Sequence, residues 1–458
     1  MIIGKPYKQK FLSNWRQWLK VTLHGYNYGN IMANELAGLY HYDEKSVSHL
    51  RSKYLKHGIK DFLIALLFKQ TKNHFDNELI NADAQNTQTI HFLMEDDGRD
   101  DYKRQCRFVL DQLSDYRVKV YTVNKFGKGA KQFNVASFLS KCRLLLNIAR
   151  AVKLSNAFEH DTRKKNLFVL TKCLHYHDIL TYVEQNKLLV DAKLLIVFAD
   201  MKECGSMMVQ AARKLNIKTA TLQHAIYLKR KDNEFSHSVI NYLNSQADYV
   251  LGWGESVLPV YQDNVANPRQ QVLLSGTSDA TYSIDKFYQQ ENDVKADHGC
   301  FSVFFSGQTL RMSNMKMLAI AEEVANKKGF KYKVLMHPSN KPEDYSFDQC
   351  TGLAEALKGS AHISMLINSS DFCICHNTTV YFTVMLKHKP CFRFKDEVFV
   401  DYGGLDDIFS DGEGLLKKVN SVSGDKQIEK IEQILIRHFG ESGFSYKQSI
   451  RQILADAV

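Results

Sequence analysis

The sequence predicts an α/β protein built of two Rossmann-like domains, with a helical N-terminal region and C-terminal helices. Three observations lead there. Short apolar runs alternate with amphipathic helical stretches from about residue 86 onward, the pattern of a parallel sheet covered by helices. The alternation breaks at the polar stretch 261–269 (YQDNVANPR) and restarts near residue 301. The chain has 458 residues, enough for two such domains.

Composition narrows the classes. The chain is 44% hydrophobic and 24% charged with only six prolines, which excludes a mainly disordered or proline-rich protein. The longest strongly apolar run, 62–68 (FLIALLF), is far shorter than the roughly 20 residues of a spanning helix. The start, MIIGKPYKQK, lacks the apolar core of a secretory signal. Nine cysteines form no CxxC pair, and Cys373 and Cys375 share one face of an apolar strand, so they read as buried free thiols in a reducing, cytoplasmic setting. The net charge of +10 suits a nucleotide, a nucleic acid or an anionic membrane, and no nucleic-acid motif accompanies it.

Taken in order, residues 1–85 read as a helical region packed on or preceding the first domain. No acidic residue occurs before Glu35, and Phe11, Trp15, Trp18 and Thr22 recur at helical spacing. Such a basic amphipathic helix can dock its tryptophans on the protein's own core, or lie on an anionic membrane surface through residues 1–23. The first Rossmann-like domain spans 86–265. Its expected strands are 89–94, 118–123, 167–171, 194–199, 219–223 and 249–252, and its helices 103–113, 138–152, 178–185 and 206–215. The second spans 266–426. Strands are expected at 272–274, 301–305, 332–336, 372–375 and 390–394, with helices at 314–327, 353–357 and 379–386. Two amphipathic helices fill 427–458. In open α/β sheets ligands bind beyond the carboxyl ends of the strands, so a cleft between two such domains is the expected site.

Four clusters follow strands directly. Ser306, Gly307, Gln308 and Thr309 come after FSVFF, where a glycine lets backbone approach a ligand or simply turns. His337, Pro338, Ser339, Asn340 and Lys341 come after YKVLM; the histidine can donate to a phosphate oxygen, and a surface turn is the alternative. His376, Asn377, Thr378 and Thr379 come after DFCIC and open a helix, where hydroxyls and free N–H groups cap the helix or hold an anion. His224 follows TATLQ and titrates near neutrality, so it can take a proton from a hydroxyl. A fifth cluster, Glu95, Asp96 and Asp97, follows TIHFLM and offers carboxylates as an alternative base or a solvated turn. The run 24–30 (HGYNYGN) can line an acceptor groove or form ordinary turns.

The order strand-QHA, then strand-HP and strand-HNTT-helix-HKP, resembles bacterial glycosyltransferases of the GT-B fold. It is most similar to capsule and teichoic-acid transferases, including CDP-glycerol glycerophosphotransferases and polysialyltransferases. The resemblance covers about residues 165–395. It implies two Rossmann-like domains facing across a cleft. His337 and Pro338 match a His-Pro motif that contacts donor phosphate, and Thr378 and Thr379 match paired hydroxyls at a helix start that also hold phosphate. His224 matches a proposed catalytic base, while Glu95 and Asp97 resemble the acidic motif that polysialyltransferases use as base. Lys389 and Pro390 match a Lys-Pro turn. Ala225 and His388 stand where glycine is usual, and threonines replace serines, which leaves the subfamily open.

The resemblance implies a metal-independent glycosyltransferase that moves a sugar, or a phospho-polyol, from a nucleotide-activated donor to a glycan or lipid-linked glycan acceptor in surface polysaccharide synthesis. It implies no cofactor besides that co-substrate. The location expected is cytoplasmic or peripheral on the inner membrane face. A non-hydrolysing nucleotide-sugar epimerase and a catalytically silent sugar- or nucleotide-binding partner of an assembly complex are the alternatives.

Overall fold

A computed structural model describes residues 5–43, 58–71, 74–94, 100–123, 130–152, 162–227, 240–262, 264, 266–279, 282–288, 299–359, 362–401, 403, 405–421 and 424–456. The chain forms two compact units. Among the described residues, one holds those up to 278 and from 444 onward, the other those from 279 to 443.

In the first unit, helices Lys5–Trp18 and Tyr28–Asp43 flank a two-stranded ribbon of β1 (Thr22–Leu23) and β2 (Tyr26–Asn27). Its turn, His24-Gly25, has φ of 51° and 81°, the doubly left-handed backbone that favours glycine and closes two-residue hairpins. The run 24–30 is thus a hairpin and the start of a helix. A second ribbon pairs β3 (Phe68–Thr71) with β7 (Ala130–Phe133). The main sheet contains β4 (Phe75–Ile80), β5 (Asn86–Met94), β6 (Tyr116–Val123), β8 (Ala192–Val197), β9 (Lys218–Leu222), β10 (Tyr249–Gly252) and β11 (Gln271–Leu274). They lie in the order β11-β10-β9-β8-β5-β6-β4, parallel except for β4. The chain goes from β5 to β6 on one side, then returns to β8 on the other, so β5 and β8 flank the switch point.

The second unit holds β12 (Cys300–Phe304), β13 (Lys331–Met336), β14 (Leu353–Lys358), β15 (Phe372–Cys375), β16 (Cys391–Phe394) and β17 (Ile408–Phe409). The order is β14-β13-β12-β15-β16-β17, all parallel. This is the doubly wound order 3-2-1-4-5-6, with the switch point between β12 and β15. The central strands are buried throughout, as expected of parallel strands covered on both faces. Each unit is therefore Rossmann-like.

Several expectations need correction. The described part of residues 1–85 is mostly helical, as expected, but it also carries the short strands β1 to β4. The expected strand 167–171 lies inside helix Thr162–Gln185, whose Val169, Cys173, Tyr176, Leu180 and Val183 recur at helical spacing and are all buried. The expected helix 353–357 is the strand β14, held by its pairing with β13. The division falls at 278/279 rather than 265, because β11 is an edge strand of the first sheet. The two terminal helices separate: Gly424–Phe439 belongs to the second unit and Tyr446–Ala455 to the first.

The N-terminal aromatic stripe is a packing face. Phe11, Trp15 and Trp18 are buried in the first unit's core, and Trp15 Nε1–H donates to the Gly29 carbonyl at 3.0 Å. Those rings are shielded from any lipid, so the reading of residues 1–23 as an aromatic membrane anchor does not hold. Among the described residues no helix is long and apolar enough to cross a membrane.

Candidate functional site

The second unit brings three of the predicted clusters together. Its β12, β13 and β15 are neighbours, so the loops that follow them meet beside the switch point. Ser306 is their hub. Its N–H donates to Asn314 Oδ1 at 2.9 Å, and its carbonyl accepts from Asn314 Nδ2 at 2.9 Å and Asn340 Nδ2 at 3.1 Å. Its hydroxyl donates to the Asn377 carbonyl at 3.3 Å. One buried serine thereby ties together the loops after all three strands.

In the first loop, a Cβ built on Gly307 would meet Ser339 Oγ at 3.5 Å and His337 Nδ1 at 3.7 Å, ordinary contact distances. The Gln308 N–H donates to Ser339 Oγ at 3.0 Å, and its side-chain amide donates to Asp344. Thr309 lies in the single turn Gln308–Leu310 that follows.

The second loop is a tight turn, closed by the Asn340 N–H donating to the His337 carbonyl at 2.9 Å, with Pro338 at its first corner. His337 is exposed. Its Nδ1 accepts the Ser339 N–H at 3.1 Å and meets Ser339 Oγ at 2.8 Å. An accepting Nδ1 places the neutral ring's proton on Nε2. Asn340 is fully buried, and its carbonyl accepts from Lys358 Nζ at 2.8 Å.

In the third loop, His376 is fully buried and its Nε2 lies 3.0 Å from Asp396 Oδ1. Burial holds the imidazole below its ordinary pKa despite the carboxylate beside it, so the ring is neutral and Nε2–H donates. Burial also pushes Asp396 up, but the Ser313 hydroxyl at 2.6 Å, His376 and the Val398 N–H at 3.0 Å outweigh it and hold the carboxyl below its usual range. Asn377 is a clip rather than a free hand: it donates to the Val398 carbonyl at 2.8 Å and accepts from the Val400 N–H at 2.9 Å. Thr378 Oγ1 accepts from the Val380 N–H at 3.4 Å, and the exposed Thr379 precedes helix Val380–Met385. That helix has only six residues, so its macrodipole is small.

Three buried polar atoms in these loops lack a hydrogen-bond partner among the described residues: Gln308 Oε1, Asn340 Oδ1 and His376 Nδ1. The donor bonds of each side chain fix which atom is left over, and all three are acceptors.

In the first unit, His224 lies two residues past the end of β9. It is nearly buried, with Nδ1 3.0 Å and Nε2 3.3 Å from the Tyr227 hydroxyl, and its ring packs on Phe198 and Tyr102. Gln223 fixes that strand end by accepting the Trp253 N–H at 2.7 Å and donating to the Ala225 carbonyl at 2.9 Å. Glu95 and Asp97 lie outside the described residues. Among the described residues no group of three or more His, Cys, Asp or Glu side chains could hold a metal ion.

Sequence reasoning missed Asn314 and Asp396, and it placed Ser306 and Ser339 in their clusters without giving either a role of its own. Asp396 follows a strand, the same signal that found Ser306, His337 and Asn377. Asn314 gave no signal, because it reaches back from the following helix.

No family model matches the chain, and no curated protein matches it. Solved structures match in overall architecture. UDP-GlcNAc 2-epimerase from Methanocaldococcus jannaschii is 12% identical, covers 80% of this chain and 100% of its own, and has a TM-score of 0.47. An S. aureus MnaA–UDP co-structure is 11% identical, covers 80% of this chain and 96% of its own, and has a TM-score of 0.46. A glycosyltransferase from Rickettsia africae is 12% identical, covers 81% of this chain and 98% of its own, and has a TM-score of 0.44. The strand orders described above carry the fold assignment.

Proposed function

We propose that the chain is a GT-B glycosyltransferase that uses a nucleotide-activated donor, and that the loops around Ser306 hold that donor. The observation that carries this reading is the convergence of three strand-end loops on Ser306 beside the switch point of the second sheet. His337 Nε2–H and the hydroxyls of Thr378 and Thr379, carried by those loops, are donors suited to the phosphate oxygens of a nucleotide-linked sugar.

In this reading negative charge grows on the leaving nucleotide, where the His337 and Thr378/Thr379 donors stabilise it. His224 takes the proton of the acceptor hydroxyl, with Glu95 or Asp97 as the next choice. The transferred unit is a sugar or phospho-polyol and the acceptor a glycan or lipid-linked glycan of a bacterial surface polysaccharide. No metal or cofactor beyond the co-substrate takes part.

The test begins with a thermal-shift screen of UDP-, GDP-, CMP- and CDP-linked donors. One nucleotide at a hundredfold excess over Kd should stabilise by about 2.7 kcal/mol. Calorimetry with that nucleotide should then show His337→Ala and Thr379→Ala weakening binding by roughly 1.5–3 kcal/mol each, the worth of a hydrogen bond to a charged group. Unchanged affinity in both variants would sink the donor-site assignment. Release of an epimerised donor without any acceptor would replace glycosyl transfer by epimerisation.

A further inference from the structure

We propose that the first unit carries a membrane-docking face, separate from the N-terminal aromatic stripe, and that its occupant is an anionic phospholipid surface. The face is built on helix Val135–Ala151. That helix already uses one side for the core, where Leu144 and Ile148 are fully buried. Its opposite side is apolar as well. Val135, Leu139 and Leu146 are 60%, 52% and 56% exposed, and with Cys142 between them they recur every three or four residues along one stripe. A helix apolar on both sides has a second face to bury, and among the described residues no element covers it.

Neighbouring elements extend it. Lys141 Nζ reaches from this helix to the Ala65 and Phe68 carbonyls at 2.7 and 2.9 Å, which docks helix Ile59–Leu67 alongside. Ile59, Leu63 and Leu67 of that helix, four residues apart, are exposed in turn. Phe133, 54% exposed, pairs with Phe68 across the ribbon and leads directly into Val135. Large exposed side chains on three adjoining elements are more than the scattered apolar residues of an ordinary surface.

Charge decides the occupant. From Tyr116 to Phe158 the chain has no aspartate or glutamate and nine lysines and arginines. Arg143 and Arg150 are exposed on the helix beside the apolar stripe, and Lys60 is exposed on the neighbouring helix. The one acidic residue of these two helices, Asp61, is engaged by the Gly58 N–H at 3.0 Å. A second copy of this face would bring cation against cation. An anionic lipid surface takes the leucines into its acyl boundary and the arginines among its headgroups.

The test is cosedimentation of the full chain with vesicles of phosphatidylglycerol in phosphatidylcholine, against vesicles of phosphatidylcholine alone, without nucleotide. The anionic vesicles should bind the protein and lose it at high salt, where the Debye length falls from about 10 Å to about 3 Å. Leu139→Ser with Leu146→Ser should weaken partitioning by tenfold or more, since each places a leucine in the bilayer. Arg143→Gln with Arg150→Gln should weaken it about twenty-five-fold, about fivefold per charge. Both pairs face outward, so unfolding midpoint and nucleotide affinity should not move. That separates failure of this proposal from failure of the donor site. Equal binding to neutral vesicles, or unchanged partitioning in both double variants, overturns the proposal. So does light scattering that shows a dimer which the serine variant splits.

Discussion

Replacing Asp396 by alanine removes the acceptor of three hydrogen bonds at once, from His376 Nε2, the Ser313 hydroxyl and the Val398 N–H. The three losses differ in size. The His376 ring is fully buried, so its N–H has no water to turn to, and a buried donor left unsatisfied costs about 1–3 kcal/mol. The Ser313 hydroxyl can rotate and the Val398 N–H is only part-buried, so together they add about 1 kcal/mol. Removing the carboxylate also relieves its own desolvation, which offsets part of the sum. The expected destabilisation is about 2–3 kcal/mol by urea unfolding. Asp396→Asn keeps a carbonyl for His376 and should cost about 1 kcal/mol or less. In the alanine variant nothing holds the proton on Nε2, so Nδ1 is no longer a fixed acceptor. Nucleotide-sugar affinity should then fall by about tenfold, equal to about 1.4 kcal/mol. An alanine variant with the wild-type unfolding midpoint and affinity would refute both the buried contact and its role.

Two further outcomes follow from the first unit. His177 is buried, its Nε2 2.8 Å from Ser140 Oγ, and burial together with the nearby Lys141 charge holds it at about 4 against an ordinary 6.5. Between those values the unfolded chain binds the extra proton, so this contribution is complete above about pH 6.5 and is lost as pH falls toward 4. At pH 5 the loss is about 2 kcal/mol, and His177→Gln should flatten the pH dependence of urea stability by that amount; an unchanged slope would show that the histidine is protonated in the fold. His224→Ala should lower turnover roughly 10²–10⁴-fold with donor affinity nearly intact. Should turnover survive, Glu95→Ala and Asp97→Ala become the variants that locate the base.

The parts of the fold that could be read from the sequence were those with one dominant signal. Strands such as β10 and β15 are short, fully buried and bounded by polar residues, and they emerged with the expected limits. Residues 167–171 misled because a five-residue window sees only an apolar run; the spacing of Val169, Cys173, Tyr176, Leu180 and Val183 shows only over three turns. Residues 353–358 (LAEALK) are strong helix formers, yet parallel pairing with β13 overrides propensity. At the site, His337 and Asn377 were found because each follows a strand. Their roles were not, since only the folded loops show Asn377 gripping Val398 and Val400 while His376 turns inward. The tryptophans at the N-terminus left two readings open because a helical stripe looks the same whether it faces protein or lipid.

The last helix, Tyr446–Ala455, has a bearing on how the protein is made. Tyr446, Ile450 and Ile453 are fully buried in the first unit's core, the Tyr446 hydroxyl donates to the Gly276 carbonyl at 3.0 Å, and Ser449 Oγ sits 2.8 Å from Ser275 Oγ. The first unit to leave the ribosome is therefore the last to be finished. Its sheet is synthesised by residue 274, but a wedge of its core arrives only after the whole second unit has been translated, a wait of roughly ten to thirty seconds at 5–20 residues per second. During that interval the nascent unit exposes the apolar groove that the helix will fill, which makes it a client for chaperones. A premature stop between residues 278 and 446 yields a complete sheet that lacks its closing helix.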